Sequence, residues 1–234
     1  MASIALIPSA STQNQQNAQR LPYYLWLALA TLLCLSLTTN ILLLFLSDSP
    51  QPNGLQLIVA IIGGMLITYP LLMLLTKDFF YQQFTPALRT SFSWSICSVG
   101  IGVMLALLIH WFSRQIPGPL DPTNTFDLIK QHSFLAELLL IIVVSIFAPF
   151  FEEYLFRGLI LGSLAARFAT FNAIFTSAVV FMGFHLIEYY DYWVGLLAVF
   201  CLGILLGWLK QMSRSMLAPI LCHASYNFCI ILLA

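Results

Sequence analysis

The feature that most constrains this protein is a series of long apolar runs separated by short polar breaks. Charged residues make up only 8% of the sequence and apolar ones 60%, whereas a soluble domain carries about 25% charged residues. So few charges cannot cover a globule in water. Backbone polar groups inside a bilayer must be satisfied within the segment, so runs of this length are read as membrane helices. The expected fold class is all-α: a polytopic membrane helical bundle of about seven transmembrane helices. The formal net charge is zero, which argues against nucleic acid as a partner; membrane lipid is the partner expected from composition.

The spans are expected at about Pro22–Leu46, Leu55–Thr76, Phe92–Phe112, Ser133–Phe168, Asn172–Leu186, Trp193–Leu209 and Met216–Ala234. Three units follow: a polar, disordered tail over 1–21, three N-terminal helices over 22–132, and a four-helix core over 133–234. Residues 77–90 are read as a polar loop with aromatic edges, 113–132 as an irregular loop, and 210–214 as a basic loop. Pro149 is expected to kink the fourth helix, or that helix to tilt or project. Basic residues favour one set of loops: Arg20, Lys77, Arg89, Arg167, Lys210 and Arg214 against Arg114 and Lys130. That bias predicts a cytoplasmic N-terminus and an outer C-terminus. Gly63-Gly64, Gly158/Gly162 and Gly203/Gly207 are expected close-packing points. The five cysteines lie in apolar segments without a C-x-x-C pair and read as packing residues.

Against this background Glu152, Glu153 and Arg157 stand out. A charge near the bilayer centre costs about 2.5–3.5 kcal/mol on the insertion scale, so it must pair, face a wet cavity or do chemistry. Glu153 and Arg157 are spaced i, i+4 with the acid first, the favourable order for an ion pair. Glu152 points elsewhere, which makes it the available carboxylate and the pair its support. Glu153 lies sixteen positions before Ala169 and His185 sixteen after it. In an antiparallel hairpin those offsets give equal height, roughly 24 Å from the turn. Phe181 is one turn from His185 and could wall its ring. His223 and Asn227 share a face of the last helix, but reach the same layer only if the helix 4–5 hairpin projects or the loop at Met212–Ser215 dips inward. A carboxylate beside an imidazole can take a proton from water, and a second imidazole with an amide can donate to an oxyanion. This is equipment for peptide-bond hydrolysis.

Each group also has a plain structural use. Glu153–Arg157 can be a structural ion pair, a lone histidine or Asn227 an interhelical hydrogen bonder. His110 and His132 sit at segment ends and read as interfacial anchors; Tyr189, Tyr190, Tyr192 and Trp193 read as an aromatic belt. The joint occurrence of the polar set on three late spans lifts it above these uses.

Glu-Glu-x-x-x-Arg at Glu152–Arg157, Phe-x-x-x-His at Phe181–His185 and His-x-x-x-Asn at His223–Asn227 together resemble the CPBP family of intramembrane proteases. That family takes in CAAX prenyl protease type II and bacteriocin-processing enzymes and is also called the Abi domain. The resemblance covers about residues 133–234. It implies that Glu152 and His185 activate water, that His223 and Asn227 form the oxyanion site, and that Glu153 and Arg157 hold the catalytic helix, with Phe181 packing. It implies a protein or peptide substrate, prenylated or not, and a multi-pass protein of a bacterial inner or plasma membrane. The family is commonly called metalloprotease. Glu152, His185 and His223 would be the ligands if zinc is used, but no His-Glu-x-x-His helix is present, so none or Zn stays open. The expected activity is an intramembrane endopeptidase with its site near the cytoplasmic side. The alternative is a non-catalytic self-immunity or scaffold protein; a proton-coupled transporter ranks last, because no internal repeat is seen.

Overall fold

The computed structural model of the protein describes residues 19–47, 52–116 and 133–233. The polar tail up to residue 18, most of the 113–132 loop and His132 lie outside the described residues. Seven helices carry the fold: α1 (Leu21–Leu46), α2 (Gly54–Leu75), α3 (Phe92–Ser113), α4 (Phe134–Ala165), α5 (Thr170–Phe184), α6 (Trp193–Ser213) and α7 (Leu217–Leu233). No strand occurs among the described residues. The protein is thus a polytopic bundle of apolar helices. Five are long and apolar enough to cross a membrane, while α5 and α7 are shorter, at 15 and 17 residues. At ~1.5 Å per residue those two reach only about 22 and 25 Å, short of a ~30 Å hydrocarbon core.

Local chemistry fixes the helix starts. Pro22 sits in the first turn of α1, where its missing N–H would have no intrahelical partner anyway. Asn53 and Gln56 form a reciprocal capping box at α2, each side chain accepting from the other's backbone N–H at 2.9 Å. Ser91 and Ser133 cap α3 and α4.

The centre of the bundle is α4. Every residue from Glu153 to Leu161 is buried, and a helix covered on all sides belongs in the interior. It packs against α2, α5, α6 and α7. Two π-helical turns interrupt it, at Val143–Phe147 and Tyr154–Ile160. Pro149 cannot donate to the Ser145 carbonyl, and the first π turn immediately precedes it. The helix accommodates its proline by widening a turn.

Three expectations need correction. The 77–90 segment is not a polar loop. It folds as a short helix, a π turn and a 3-10 turn over Lys77–Ala87, and buries Phe79 and Phe84. Phe79 and Phe84 stack edge-on against Tyr154, and the Thr76 and Tyr154 hydroxyls hydrogen-bond one another. The basic loop is also shorter than expected, because α6 runs on to Ser213 and stops only at Arg214, whose φ of 52° is left-handed. Finally, Gly162 has nothing near the position of a Cβ, so it is not a packing point, although Gly158 faces the Phe79 ring.

The Gly203/Gly207 pair does bring α6 against α5: a Cβ on either glycine would lie 3.0 Å from Ala178 or Ile174. The tightest approach is between α3 and α7. A Cβ on Gly102 would lie 2.2 Å from both the Cys222 carbonyl oxygen and Ser225 Oγ. Helix backbone yields far less readily than a flexible side group, so Gly102→Val should destabilise the protein by about 1–3 kcal/mol or more. Gly162→Ala should be neutral. Thermal unfolding in detergent checks the contrast, and equal stability of the two variants would contradict it.

Candidate active site

Glu152 and Glu153 end the six-residue α-helical segment Ala148–Glu153, which lies between the two π turns. Turns of this kind redirect side chains and recur at functional sites. Here the two neighbouring acids face different surroundings. The Glu153 side chain is 0% exposed, the Glu152 side chain 25%.

Glu153 Oε1 accepts from Arg157 Nη1 at 3.0 Å and from His223 Nδ1 at 2.9 Å. Arg157 Nη2 donates to the Gly203 carbonyl at 3.2 Å, and the guanidinium lies 4.4 Å over the Phe181 ring. One acid and one base therefore tie α4 to α5, α6 and α7. The absent side chain of Gly203 lets α6 come close to α5, and its carbonyl meets Arg157.

His223 is held by Glu153 through Nδ1, which leaves Nε2 turned towards Glu152 Oε2 at 3.7 Å. That is ion-pair distance rather than hydrogen-bond distance. Glu152 Oε2 has no hydrogen-bond partner among the described residues. His185 caps α5, and its Nδ1 lies 2.9 Å from the Phe181 carbonyl. A carbonyl only accepts, so Nδ1 carries the proton and Nε2 has the lone pair. The Phe181 ring meets His185 edge-on at 4.8 Å and His223 at 5.9 Å between centroids. Phe181 thus walls both imidazoles, where one was expected. Asn227 Nδ2 donates to the Val144 carbonyl in the first π turn, at 2.9 Å. One amide hydrogen is therefore used in holding α7 to α4.

The loop before α7 dips inward: Ser215 and Met216 are buried, and both donate to the Ala87 carbonyl, at 3.2 and 2.8 Å. Glu152, His185, His223 and Asn227 all line one cavity of about 500 Å³, whereas Glu153 and Arg157 lie behind its wall. That volume falls within the ~300–1,000 Å³ usual for ligand sites. The cavity also takes residues not singled out in the sequence for a site: Val144, Tyr226, Ser113 and Arg114, with His110 beside them rather than serving only as an anchor. Nothing in the spacing of α3 marks its last turn as a cavity wall. The polar positions at its end were the available signal.

A zinc ion would need Glu152, His185 and His223 to converge. Among the described residues no group of three His, Cys, Asp or Glu side chains is arranged to hold a metal. Nδ1 of His223 is engaged by Glu153 and that of His185 by a backbone carbonyl, which leaves each Nε2 as the nitrogen a metal would take. The three side chains as placed nonetheless do not form a three-ligand site.

Arg157→Lys tests the support. Lysine keeps the charge but lacks the planar fork that reaches Glu153 and Gly203 while lying on Phe181. The variant should unfold several degrees earlier in detergent, and an unchanged unfolding temperature would contradict this role.

Residues 134–229 match the family model described as type II CAAX prenyl endopeptidase Rce1-like. No curated protein and no solved structure matches the sequence. The matched segment begins at α4 and ends within α7, and it contains all three motifs of the cavity layer. Residues 134–229 of this membrane protein are therefore similar to the type II CAAX prenyl endopeptidase Rce1-like family, in line with the resemblance that the three motifs carry.

Proposed function

We propose that the protein is an intramembrane endopeptidase of a bacterial inner or plasma membrane, and that residues 133–234 are its catalytic core. One observation carries the reading: Glu152, His185, His223 and Asn227 share a cavity, while the pair that holds their helix sits behind it.

In this reading Glu152, assisted by the lone pair on His185 Nε2, takes a proton from water. The water oxygen bonds to the carbonyl carbon of the scissile peptide, and the carbonyl π electrons move onto its oxygen. His223 Nε2–H and the remaining Asn227 amide hydrogen donate to that oxyanion. Collapse of the tetrahedral intermediate breaks the C–N bond, and the proton first taken from water passes to the leaving nitrogen. The products are a carboxylic acid and an amine. The Arg157 guanidinium offsets the buried Glu153 carboxylate. Phe181 and the Glu153–Arg157 pair act as positioning residues.

General acid–base groups contribute about 10²–10⁴-fold, so Glu152→Gln and His185→Ala should each lower cleavage by at least ~100-fold. Both should leave folded protein in the membrane. The assay uses purified protein with quenched fluorogenic peptides, with and without a farnesylated C-terminal CAAX sequence. Full activity in either variant would contradict the reading.

The alternative is a non-catalytic immunity or scaffold protein. The contact of Asn227 with the Val144 carbonyl favours it, because that amide serves helix packing. Protection of host cells that survives Glu152→Ala would support this second role.

A further inference from the structure

The direction of the cavity bears on which peptides reach it. Its lining lies towards one end of the bundle: Ile109, His110, Ser113 and Arg114 come from the last turns of α3, and Val144, Ala148 and Glu152 run from the first half of α4 to just past its middle. The N-terminal half of α6, from Gly195 to Leu202, and the α5–α6 connection supply one wall. On α7 the lining runs from His223 to Leu233, ten positions or about 15 Å towards that helix's end. None of the lining residues comes from the segments holding Arg20, Lys77, Arg89, Arg167, Lys210 and Arg214. At that other end Ser215 and Met216 are buried and bonded to Ala87, which closes the bundle beneath His223.

Six basic residues thus belong to the segments at the closed end, while among the described residues only Arg114 lies at the other. Short loops rich in Lys and Arg stay in the cytoplasm. A cytoplasmic N-terminus and a site reached from the cytoplasm are therefore incompatible in this fold.

We infer that the cavity opens to the non-cytoplasmic side, so that its substrates are peptide segments displayed there, on exported peptides or on the outer parts of membrane proteins. The substrate half of this inference rests on the protease reading; the orientation half does not. A polypeptide prenylated and retained in the cytoplasm would not reach Glu152. Arg114 and Glu188 bring both signs of charge to the lining, and Ile109, Ile230 and Leu233 give it apolar walls. An extended segment leaving the lipid surface would meet apolar walls first and the acid–imidazole layer last.

Full-length Asp191→Cys, in the exposed α5–α6 connection, and Arg167→Cys, in the exposed α4–α5 turn, are expressed in bacterial cells and treated with a membrane-impermeant maleimide. The parent protein supplies the background from its own cysteines. Asp191→Cys should label in intact cells, and Arg167→Cys only after permeabilisation; the reverse pattern overturns the inference. Should either variant fail to accumulate, reporters fused to the C-terminus of the full-length protein replace them, because α7 ends beside the mouth. Alkaline phosphatase fused there should be active and green fluorescent protein dark, and the opposite result again overturns the inference. In sealed vesicles an impermeant fluorogenic peptide should be cleaved only by right-side-out preparations. Cleavage confined to inverted vesicles overturns the inference and leaves the protease reading standing. Absence of cleavage in both and in detergent refutes the protease reading and the substrate half with it, while the labelling pattern still decides the orientation.

Discussion

The fold depends on a carboxylate placed where no water can solvate it. Glu153 is fully enclosed, and its Oε1 is shared between the Arg157 guanidinium and His223. An unpaired charge at that depth would cost several kcal/mol. The acid is tolerable only while α4 and α7 stay in register, and Arg157 only while Gly203 and Phe181 stay beside it. Electrostatic need therefore fixes helix positions that dispersion between apolar faces would leave loose. The same contact decides the site, because it aims the second nitrogen of His223 at Glu152.

Close packing and helix irregularity do the remaining positioning. Gly102 lets α3 lie against α7, and Gly203 and Gly207 let α6 lie against α5. The two π turns of α4 bracket the acids. Together they leave Glu152 partly open to the cavity and Glu153 sealed from it. Neighbours in sequence thereby acquire different chemistry: one holds helices together and the other is free to meet a substrate.

Much of this was legible in the residues. Apolar runs bounded by Pro, Gly or charge gave the span limits to within a few positions. The i, i+4 spacing gave the Glu153–Arg157 pair, and equal offsets from Ala169 put Glu153 and His185 at one height. The π turns were not legible, since an apolar run carries no mark of a widened turn. Phe79 and Phe84 lie among polar neighbours, so their burial against Tyr154 depended on tertiary contacts. The wall formed by His110 and Arg114 depends on how α3 docks, which follows from Gly102 meeting the α7 backbone. Loop charges gave an orientation, whereas the course of the cavity along α3, α6 and α7 carried no mark in the sequence.

The most direct test of this account is a double-mutant cycle between Glu153→Gln and Arg157→Gln, read as unfolding free energy in lipid or detergent. If the carboxylate and the guanidinium hold each other, each single change strands a buried charge and the double change strands none. The double variant should then be less destabilised than the sum of the singles, by about 1–3 kcal/mol. Strict additivity would mean that the two charges do not depend on one another, and would contradict the account.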